Sequence, residues 1–500
     1  MALLIRQDSL DDPDETEKLT AEQTLWAYNA MDAMVTSEVE EELRPQLDEH
    51  TGWIYHFELA CLAPAMEMAL RGVAVDHFTR DDKLRHYAER IGRIDEVLSL
   101  YGKALNDPRG ILANSHHQLK RLLYDELGFP RQYKYDSQAK EEKLSVDRES
   151  LEKLAKIPLA NPIIRAVLAY RDASKMHSVL LSGVDSDGRM RFSFNVGGTE
   201  TGRWSSSKNI FGGGMNAQNI TEELRQIFTA SPGYKLAYID LEQAESRAVA
   251  LLSEDTNYSR ACDSGDLHTS VTALIWPRLA WSGDLVGDRR VADQLFYRQF
   301  SYRDMAKRGG HGTNYLGTPR TMAQFLKVEE AIMRDFQAAY FRAFPGIAEW
   351  HGRIARELQA TGRITTPFGR RRIFLGRLGD SATLREAVAY GPQSLIADYM
   401  NAAVCRLWSW GKVRLLAQVH DAVLFEYPES ADGLVEEARG IISRPLRLLD
   451  GRPFAVPSEA AVGWNWGKAS EENPSGLMKL KGADKRQRPA QGSVLERRFA

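Results

Sequence analysis

Two aspartates close apolar runs: Asp240 follows Leu236-Ala237-Tyr238-Ile239, and Asp421 follows Leu415-Leu416-Ala417-Gln418-Val419-His420. A carboxylate leaving a buried strand edge is well placed to hold a hard divalent cation such as Mg²⁺, which takes a few oxygens and keeps waters. Aspartate is equally the residue that opens a turn, and these two meet only if their strands share a sheet. A second set is Arg303-x-x-x-Lys307-x-x-x-His311-x-x-x-Tyr315. On a helix, positions four apart drift by only about 40° per step, giving one basic and aromatic stripe. Its cations suit phosphates and its rings offer flat faces to a base or sugar. Gly309, Gly310 and Gly312 interrupt it, each costing a helix about 1 kcal/mol. Read locally, Lys307–Gly317 is as well a phosphate-cradling loop, although no Gly-Lys-Ser/Thr follows at nucleotide-loop spacing. Thr201-Gly202-Arg203 with Ser205-Ser206-Ser207 and Gln218-Asn219 suits contact with a sugar–phosphate strand. Thr365-x-Pro367-Phe368-Gly369-Arg370-Arg371-Arg372 is either a basic surface turn or a phosphate-positioning one.

The elements that must carry these groups are mixed. Thr20 can cap a helix over 20–47, and 53–101 is helical except for a turn and short strand at Arg71–Asp76. Leu112–Gly128, Asp147–Lys156 (Asp147 as N-cap) and Asn161–Leu181 read as helices, with a charged linker at Gln132–Lys143. Arg189–Asn195 alternates like a strand, Lys235–Ile239 is a short apolar strand, and 266–360 returns to helix. Val413–Val419 and Ala422–Tyr427 suit a hairpin with an acid at its tip. Strands and helices in blocks argue an α+β fold.

Composition bounds the class. Hydrophobic residues make up 43% and charged residues 27% of 500 residues, ordinary for a soluble globular chain of roughly three domains. Cys61, Cys262 and Cys405 are far apart in sequence and build neither a disulfide framework nor a cysteine zinc cluster, which points to a reducing compartment. The apolar stretch Leu59–Leu70 is broken by Glu67 and too short to span a bilayer. No basic-then-apolar signal pattern opens the chain. The net charge of −3 hides an asymmetry: residues 1–50 hold 3 Lys/Arg against 14 Asp/Glu, so residues 51–500 carry +8. A polyanion partner is compatible with that balance, and so is an ordinary surface beside an acidic helix.

The order of the motifs is more specific than any one of them. From about residue 53 to 467 the chain resembles the family A DNA polymerases, the DNA polymerase I and phage replicative group. Ala237-Tyr238-Ile239-Asp240-Leu241-Glu242-Gln243-Ala244-Glu245 is similar to the family's first palm motif. Gln418-Val419-His420-Asp421 is similar to the second, and Arg303 through Gly317 to the fingers helix. The resemblance extends to Thr201-Gly202-Arg203 with Gln218-Asn219, to Arg385-Glu386-Ala387 with Pro392-Gln393 and Ala397-Asp398, and to Asn114-Ser115 with Gln118-Leu119.

The resemblance implies a right-hand polymerase: 51–200 mainly thumb, 201–265 and 376–467 palm with an antiparallel sheet, and 266–375 helical fingers. It implies a template-directed DNA polymerase adding dNTPs to a primer 3′-hydroxyl and releasing pyrophosphate. Asp240, Asp421 and the Leu241 carbonyl would hold two Mg²⁺ ions, with Mn²⁺ as a substitute. Arg303, Lys307 and His268 would contact the triphosphate, with Lys307 the proton donor to pyrophosphate. Gln243 and His311 would also line the nucleotide site, Tyr315 would pack near the nascent pair, and Glu245 would exclude the ribose 2′-hydroxyl. Thr201, Arg203, Gln218, Asn219, Arg385, Gln393, His420 and Lys175 would contact DNA. His311, Ala422 and Ala389 depart from the family's usual Phe or Tyr, Glu and Asn; Ala422 leaves a third acid missing beside Asp421.

Residues 1–50 suggest an acidic remnant of a 3′–5′ exonuclease domain, because Tyr28-x-x-x-Asp32 resembles its last motif while its sheet and upstream Asp-x-Glu are missing. No proofreading is expected on this chain. The expected partners are a primer–template, dNTPs and a separate exonuclease chain or processivity factor, for a monomer without membrane contact in a bacterial or phage-infected cytoplasm. Residues 468–500 are polar and basic and are expected to be a disordered tail. The competing readings are a single-subunit RNA polymerase, against which the bulk of Glu245 argues, a two-metal nuclease, which would leave Arg303 and Lys307 idle, and a DNA-binding protein with an inactive palm, which would have to lack Asp240 or Asp421.

Overall fold

A computed structural model describes residues 20–104, 110–136, 141–209 and 212–480. Helix α1 (Ala21–Leu43) starts with a capping box. The Thr20 hydroxyl accepts from the Gln23 N–H at 3.2 Å and the Gln23 side chain accepts from the Thr20 N–H at 2.9 Å, meeting two donors a helix start would leave unpaired. No residue of α1 is buried, and Leu25, Trp26 and Tyr28 stay exposed. Helix α2 (Glu49–Arg71) follows an Asp48 cap and ends at Gly72, φ +62°. A Cβ at Gly72 would stand 2.7 Å from the Met190 carbonyl oxygen, so glycine lets the chain turn there into the strand Val73–Val75.

Helices α3 (His77–Ala104) and α4 (Asn161–Leu180) pack together. Leu98, Leu119, Leu123, Leu151, Ile164 and Val167 form the main core of this unit. Two expectations shift here. The helix expected from Leu112 begins at His116, capped by Ser115, and widens into a π-type turn at Arg121–Glu126. The charged linker is a hairpin, Tyr133–Asp136 pairing antiparallel with Glu141–Leu144; cross-strand backbone bonds overrode its composition.

A five-stranded antiparallel sheet lies at the centre: β1 (Tyr234–Leu241), β2 (Arg414–Val419), β3 (Ala422–Pro428), β4 (Ser458–Gly463) and β5 (Met478–Lys479), in the order β2-β3-β1-β4-β5. Both its faces are covered. Ala237, Ile239, Val423 and Phe425 face one core, while Leu236, Leu416 and Leu424 face another built around Trp466 and Phe228. That double burial explains why β1 and β3 read as continuous apolar runs.

Between β1 and β2 come α5 (Ala244–Ser253), α6 (Leu267–Ile275), α7 (Tyr302–Asn314), α8 (Glu330–Ala343), α9 (Pro345–Thr361) and α10 (Ser381–Trp410). Helices α5 to α9 share a core that includes Val249, Leu267, Met305, Phe336, Tyr340 and Trp350. Helix α10 lies on the sheet beside α2. There Cys61 and Cys405, far apart in sequence, are buried with their sulfurs 3.4 Å apart.

The expected disordered tail is corrected over 468–480. Strand β5 pairs with β4 through Ala461↔Lys479 and Val462↔Met478, and the Leu477 N–H donates to the Gly467 carbonyl at 2.6 Å. A polar segment needs little burial when an open sheet edge supplies backbone partners. Residues 481–500, and residues 1–19 of the expected exonuclease remnant, lie outside the described residues. Among the described residues no helix is long and apolar enough to cross a membrane.

Candidate active site

The two aspartates meet because β1 and β3 are neighbours. Ala422 stands opposite Asp240 in the ladder, and the Leu241 N–H donates to the Asp421 carbonyl at 3.1 Å. His420 and Asp421 form the two-residue tip between β2 and β3, with His420 at φ +53°. On the other side, Glu459 of β4 faces Asp240 directly in register, and Lys479 of β5 bonds Glu459. Asp240 keeps an open side to solvent, yet it is crowded enough that loss of water, then the Asp421 charge, then Glu459, push its carboxyl up to about 6. Asp421 is raised by burial and by Glu245, with Arg203 opposing.

Crowded carboxylates that hold protons too tightly are suited to a cation, which relieves the repulsion. The donors these two aspartates offer are carboxylate oxygens, which are hard. Among the described residues no group of three or more His, Cys, Asp and Glu is close enough to enclose a metal ion. Two carboxylates alone suit Mg²⁺ in chemical type, since protein sites commonly hold it by one or two carboxylates with waters and substrate phosphates completing the shell.

Beyond the acids lies a polar cluster. Gln243, at φ +54°, turns the chain from β1 into α5, and its side-chain oxygen is buried without a hydrogen bond. Glu245, in the first turn of α5, then accepts from Arg203 Nη2 at 3.0 Å and from the Tyr315 hydroxyl at 3.0 Å. The same Arg203 Nη2 is 3.5 Å from Asp421 Oδ1. Arg203 thus ties the strand-tip acid to the cluster around Glu245.

Segment 302–314 is the helix α7, opened by a Ser301/Asp304 capping box, and the loop reading fails. Its glycines make close packing possible: a Cβ at Gly309 would lie 2.6 Å from the Phe336 ring and one at Gly310 3.1 Å from the Tyr340 ring. The stripe therefore looks away from α8. Arg303 Nη2 donates to Asp266 Oδ1 at 2.9 Å, and Arg289 reaches the other oxygen at 3.0 Å. Although burial opposes it, Arg303 and Thr269 hold Asp266 down to about 2. His268 is pushed down to about 4 by burial and by Arg303 and Lys307, so it is neutral at pH 7. Lys307 and His311 are exposed, and the His311 and Tyr315 rings meet edge-on at 5.0 Å. His268, Lys307, His311, Ser246 and Tyr258 line a cleft of about 360 Å³.

Thr201 lies beside Thr199 (3.1 Å), and the Gln218 amide donates to the Trp204 carbonyl at 2.5 Å. Asn219, His420 and Lys175 are exposed, on the 3₁₀ turn Ala217–Asn219, at the hairpin tip and on α4 respectively. Arg385 donates to Ser381 at 3.2 Å, and Gln393 is half-buried on α10. The three-arginine turn differs from its phosphate-positioning reading. Arg370 is buried on Asp398 and Glu58, Arg371 bonds Asp48 at 2.6 Å, and Arg372 bonds Glu386 at 3.0 Å and Glu200. Sequence reasoning missed Asp266 and Glu459. Asp266 precedes His268 and caps α6, a signal within reach; nothing local marks Glu459, whose place is set by ladder register alone.

Comparison with known proteins matches residues 84–468 to the model of DNA polymerase family A. The chain is 30% identical over 464 residues to "DNA polymerase I, thermostable" of Thermus filiformis, covering 88% of this chain and 51% of that one. It is also 30% identical over 471 residues to DNA polymerase I of Chloroflexus aurantiacus, covering 89% and 46%. The chain thus spans about half the length of these relatives. Among solved structures it is similar to the POL domain of Pol1 from M. smegmatis in complex with DNA primer–template and dNTP. That match has a TM-score of 0.65 and 27% identity, covering 82% of this chain and 69% of that one.

Proposed function

The chain belongs to DNA polymerase family A, and from that membership we propose that it extends a DNA primer along a template with dNTPs. The observation that carries the reading is the meeting of Asp240 and Asp421 on adjacent strand ends, tied through Arg203 and Glu245 to Tyr315 at the end of the Arg303–Lys307 helix. The primer 3′-hydroxyl gives its proton to solvent, its oxygen bonds to the α-phosphorus, the bond from that phosphorus to the bridging oxygen breaks, and pyrophosphate leaves. When bound, divalent cations favour the ionised 3′-hydroxyl and neutralise the triphosphate. Asp240, Asp421 and the Leu241 carbonyl would hold them. Arg303, Lys307 and neutral His268 orient the triphosphate, and Lys307 hands a proton to the departing pyrophosphate.

Glu245, fixed between Arg203 and Tyr315, fills the space beside the sugar 2′-carbon and excludes ribonucleotides. Gln243, His311 and Tyr315 complete the nucleotide pocket, and a shift of α7 would test the shape of the new pair. Thr201, Arg203, Gln218, Asn219, Arg385, Gln393, His420 and Lys175 bind the primer–template. Minor-groove acceptors are nearly the same for every base pair, which suits a copying enzyme. The domain assignment follows: thumb around α3 and α4, palm around the sheet, fingers from α6 to α9. The chain works as a monomer in the cytoplasm of a bacterium or phage-infected cell, with a separate exonuclease chain or processivity factor as further partners.

Primer extension by the purified chain tests this, beside Asp240→Asn and Asp421→Asn. Each substitution is expected to abolish extension while leaving the fold intact by circular dichroism. Extension that survives either one refutes the metal assignment, and a parent without extension refutes the polymerase reading.

A further inference from the structure

The arginine run after Phe368 turns its first member inward. Arg370 is 6% exposed and Asp398, on α10, is 0% exposed. Arg370 Nε donates to Asp398 Oδ1 at 3.0 Å and Nη2 donates to the same oxygen at 2.7 Å, while Nη1 reaches Glu58 of α2 at 2.5 Å. Gripped by two carboxylates, the guanidinium cannot swing away. Against it lies Gly202, at φ +77°; a Cβ there would stand 2.5 Å from Arg370 Cζ and 2.6 Å from Nε. One turn along α10 from Asp398, Asn401 is 1% exposed and donates to the Gly202 carbonyl at 2.9 Å. Two residues further on, Gln218 holds the Trp204 carbonyl. The backbone is therefore clamped on both sides of Arg203, whose guanidinium spans Glu245 and Asp421.

We propose that Arg370, Asp398 and Asn401 are positioning residues: a buried platform that sets the height of the Gly202 backbone and so aims Arg203 at Glu245 and Asp421. The side-chain hydrogen bonds of the platform run to Glu58 and to the Gly202 carbonyl. The platform acts only through the one residue that connects the strand-tip aspartate with the sugar-side glutamate. A buried charged pair is a poor source of stability, since replacing such a pair by apolar groups is often neutral or favourable. Its use here is geometric, because a planar guanidinium locked by carboxylates gives a flat floor that only glycine can approach.

The inference rests on the polymerase reading, and a double-mutant cycle with Arg203→Ala tests it. Asp398→Asn is expected to lower kcat for dNTP addition at least tenfold with KM for the primer–template changed less than threefold. In the Arg203→Ala background the same substitution is expected to change kcat less than twofold, while its loss in Tm is equal in both backgrounds. Equal kcat losses in the two backgrounds overturn the proposal, as does a folded Asp398→Asn chain with the parent's kcat. Gly202→Ala, which keeps the buried charges paired, replaces Asp398→Asn in the cycle if that variant does not fold, with the same expectation. A crystal structure of the Gly202→Ala chain gives a readout independent of activity: Arg203 is expected to leave Glu245, and an unchanged pair overturns the proposal. A parent that fails to extend a primer refutes the polymerase reading instead, and the crystal structure then decides the platform alone.

Discussion

Alanine at position 309 puts the packing of α7 to a quantitative test. Removing a glycine from a helix interior gains about 1 kcal/mol in intrinsic propensity. Against that gain, the new methyl would lie 2.6, 2.8 and 3.0 Å from three atoms of the Phe336 ring, where carbon atoms ordinarily rest about 3.5–4.0 Å apart. Phe336 is 3% exposed and flanked by Trp276 at 5.9 Å and Tyr340 at 5.8 Å, so the ring has nowhere to turn and α7 must move by about 1 Å. Overpacking of this kind costs about 1–3 kcal/mol, which leaves Gly309→Ala destabilised by about 0–2 kcal/mol.

Gly312 is the internal control. A methyl there first meets the flexible end of Met322, at 3.1–3.3 Å, so Gly312→Ala is expected to stabilise α7 by up to about 1 kcal/mol. Native-state hydrogen exchange of the α7 amides reads the local difference, which global unfolding of a chain this large would blur. Single-turnover dNTP addition reads the displacement of Arg303, Lys307 and His311, and a 1 Å misplacement can cost about 100-fold. Phe336→Leu in the Gly309→Ala background is expected to restore both. If the two alanine variants shift α7 by the same amount and sign, or if Phe336→Leu rescues nothing, the claim that packing demands glycine at 309 fails.

Glu245→Ala removes the acceptor shared by Arg203 and Tyr315 and is expected to reduce the preference for dNTP over rNTP about 10–200-fold in the ratio of kcat/KM values. Glu245→Gln keeps the bulk and should keep the preference; an alanine variant as selective as the parent removes Glu245 from the sugar gate. With Asp240 raised to about 6, protons compete with cations below that pH. Mn²⁺ affinity by calorimetry should fall up to about tenfold per unit below pH 6 and level off above it, and Asp421→Asn should move the break to lower pH. In the metal-free chain the sign for stability is opposite: this raised carboxyl favours folding in acid, and the contribution fades as pH rises through 6. An affinity that is flat from pH 5 to 8 would contradict the shift. The Cys405 contact, then burial, pushes the Cys61 thiol well up, and burial pushes Cys262 up to about 12, so these two buried cysteines should resist a thiol reagent in the native chain and react in guanidinium; rapid native labelling would contradict their burial.

What the chain declares locally, it declares well. Thr20 and Asp147 are read as helix caps because capping is a contact between residues three apart. Asp240 and Asp421 are read as strand-end acids because an apolar run and its end are contiguous. The family's ordered motifs put these pieces in one frame. Distance in sequence is where local reading stops. That Asp240 and Asp421 are neighbours, that Glu459 faces Asp240, and that Lys479 closes the sheet edge all depend on ladder register, which no window of the sequence contains. The glycines of α7 oppose a helix until the rings of α8 are placed against them. The arginines at 370–372 look like phosphate ligands until Asp398, Glu58, Asp48 and Glu386 arrive from helices and loops remote in sequence. Periodicity and capping are properties of a segment; burial, charge pairing and strand order belong to the packed chain, because only packing sets which distant groups exclude water from one another.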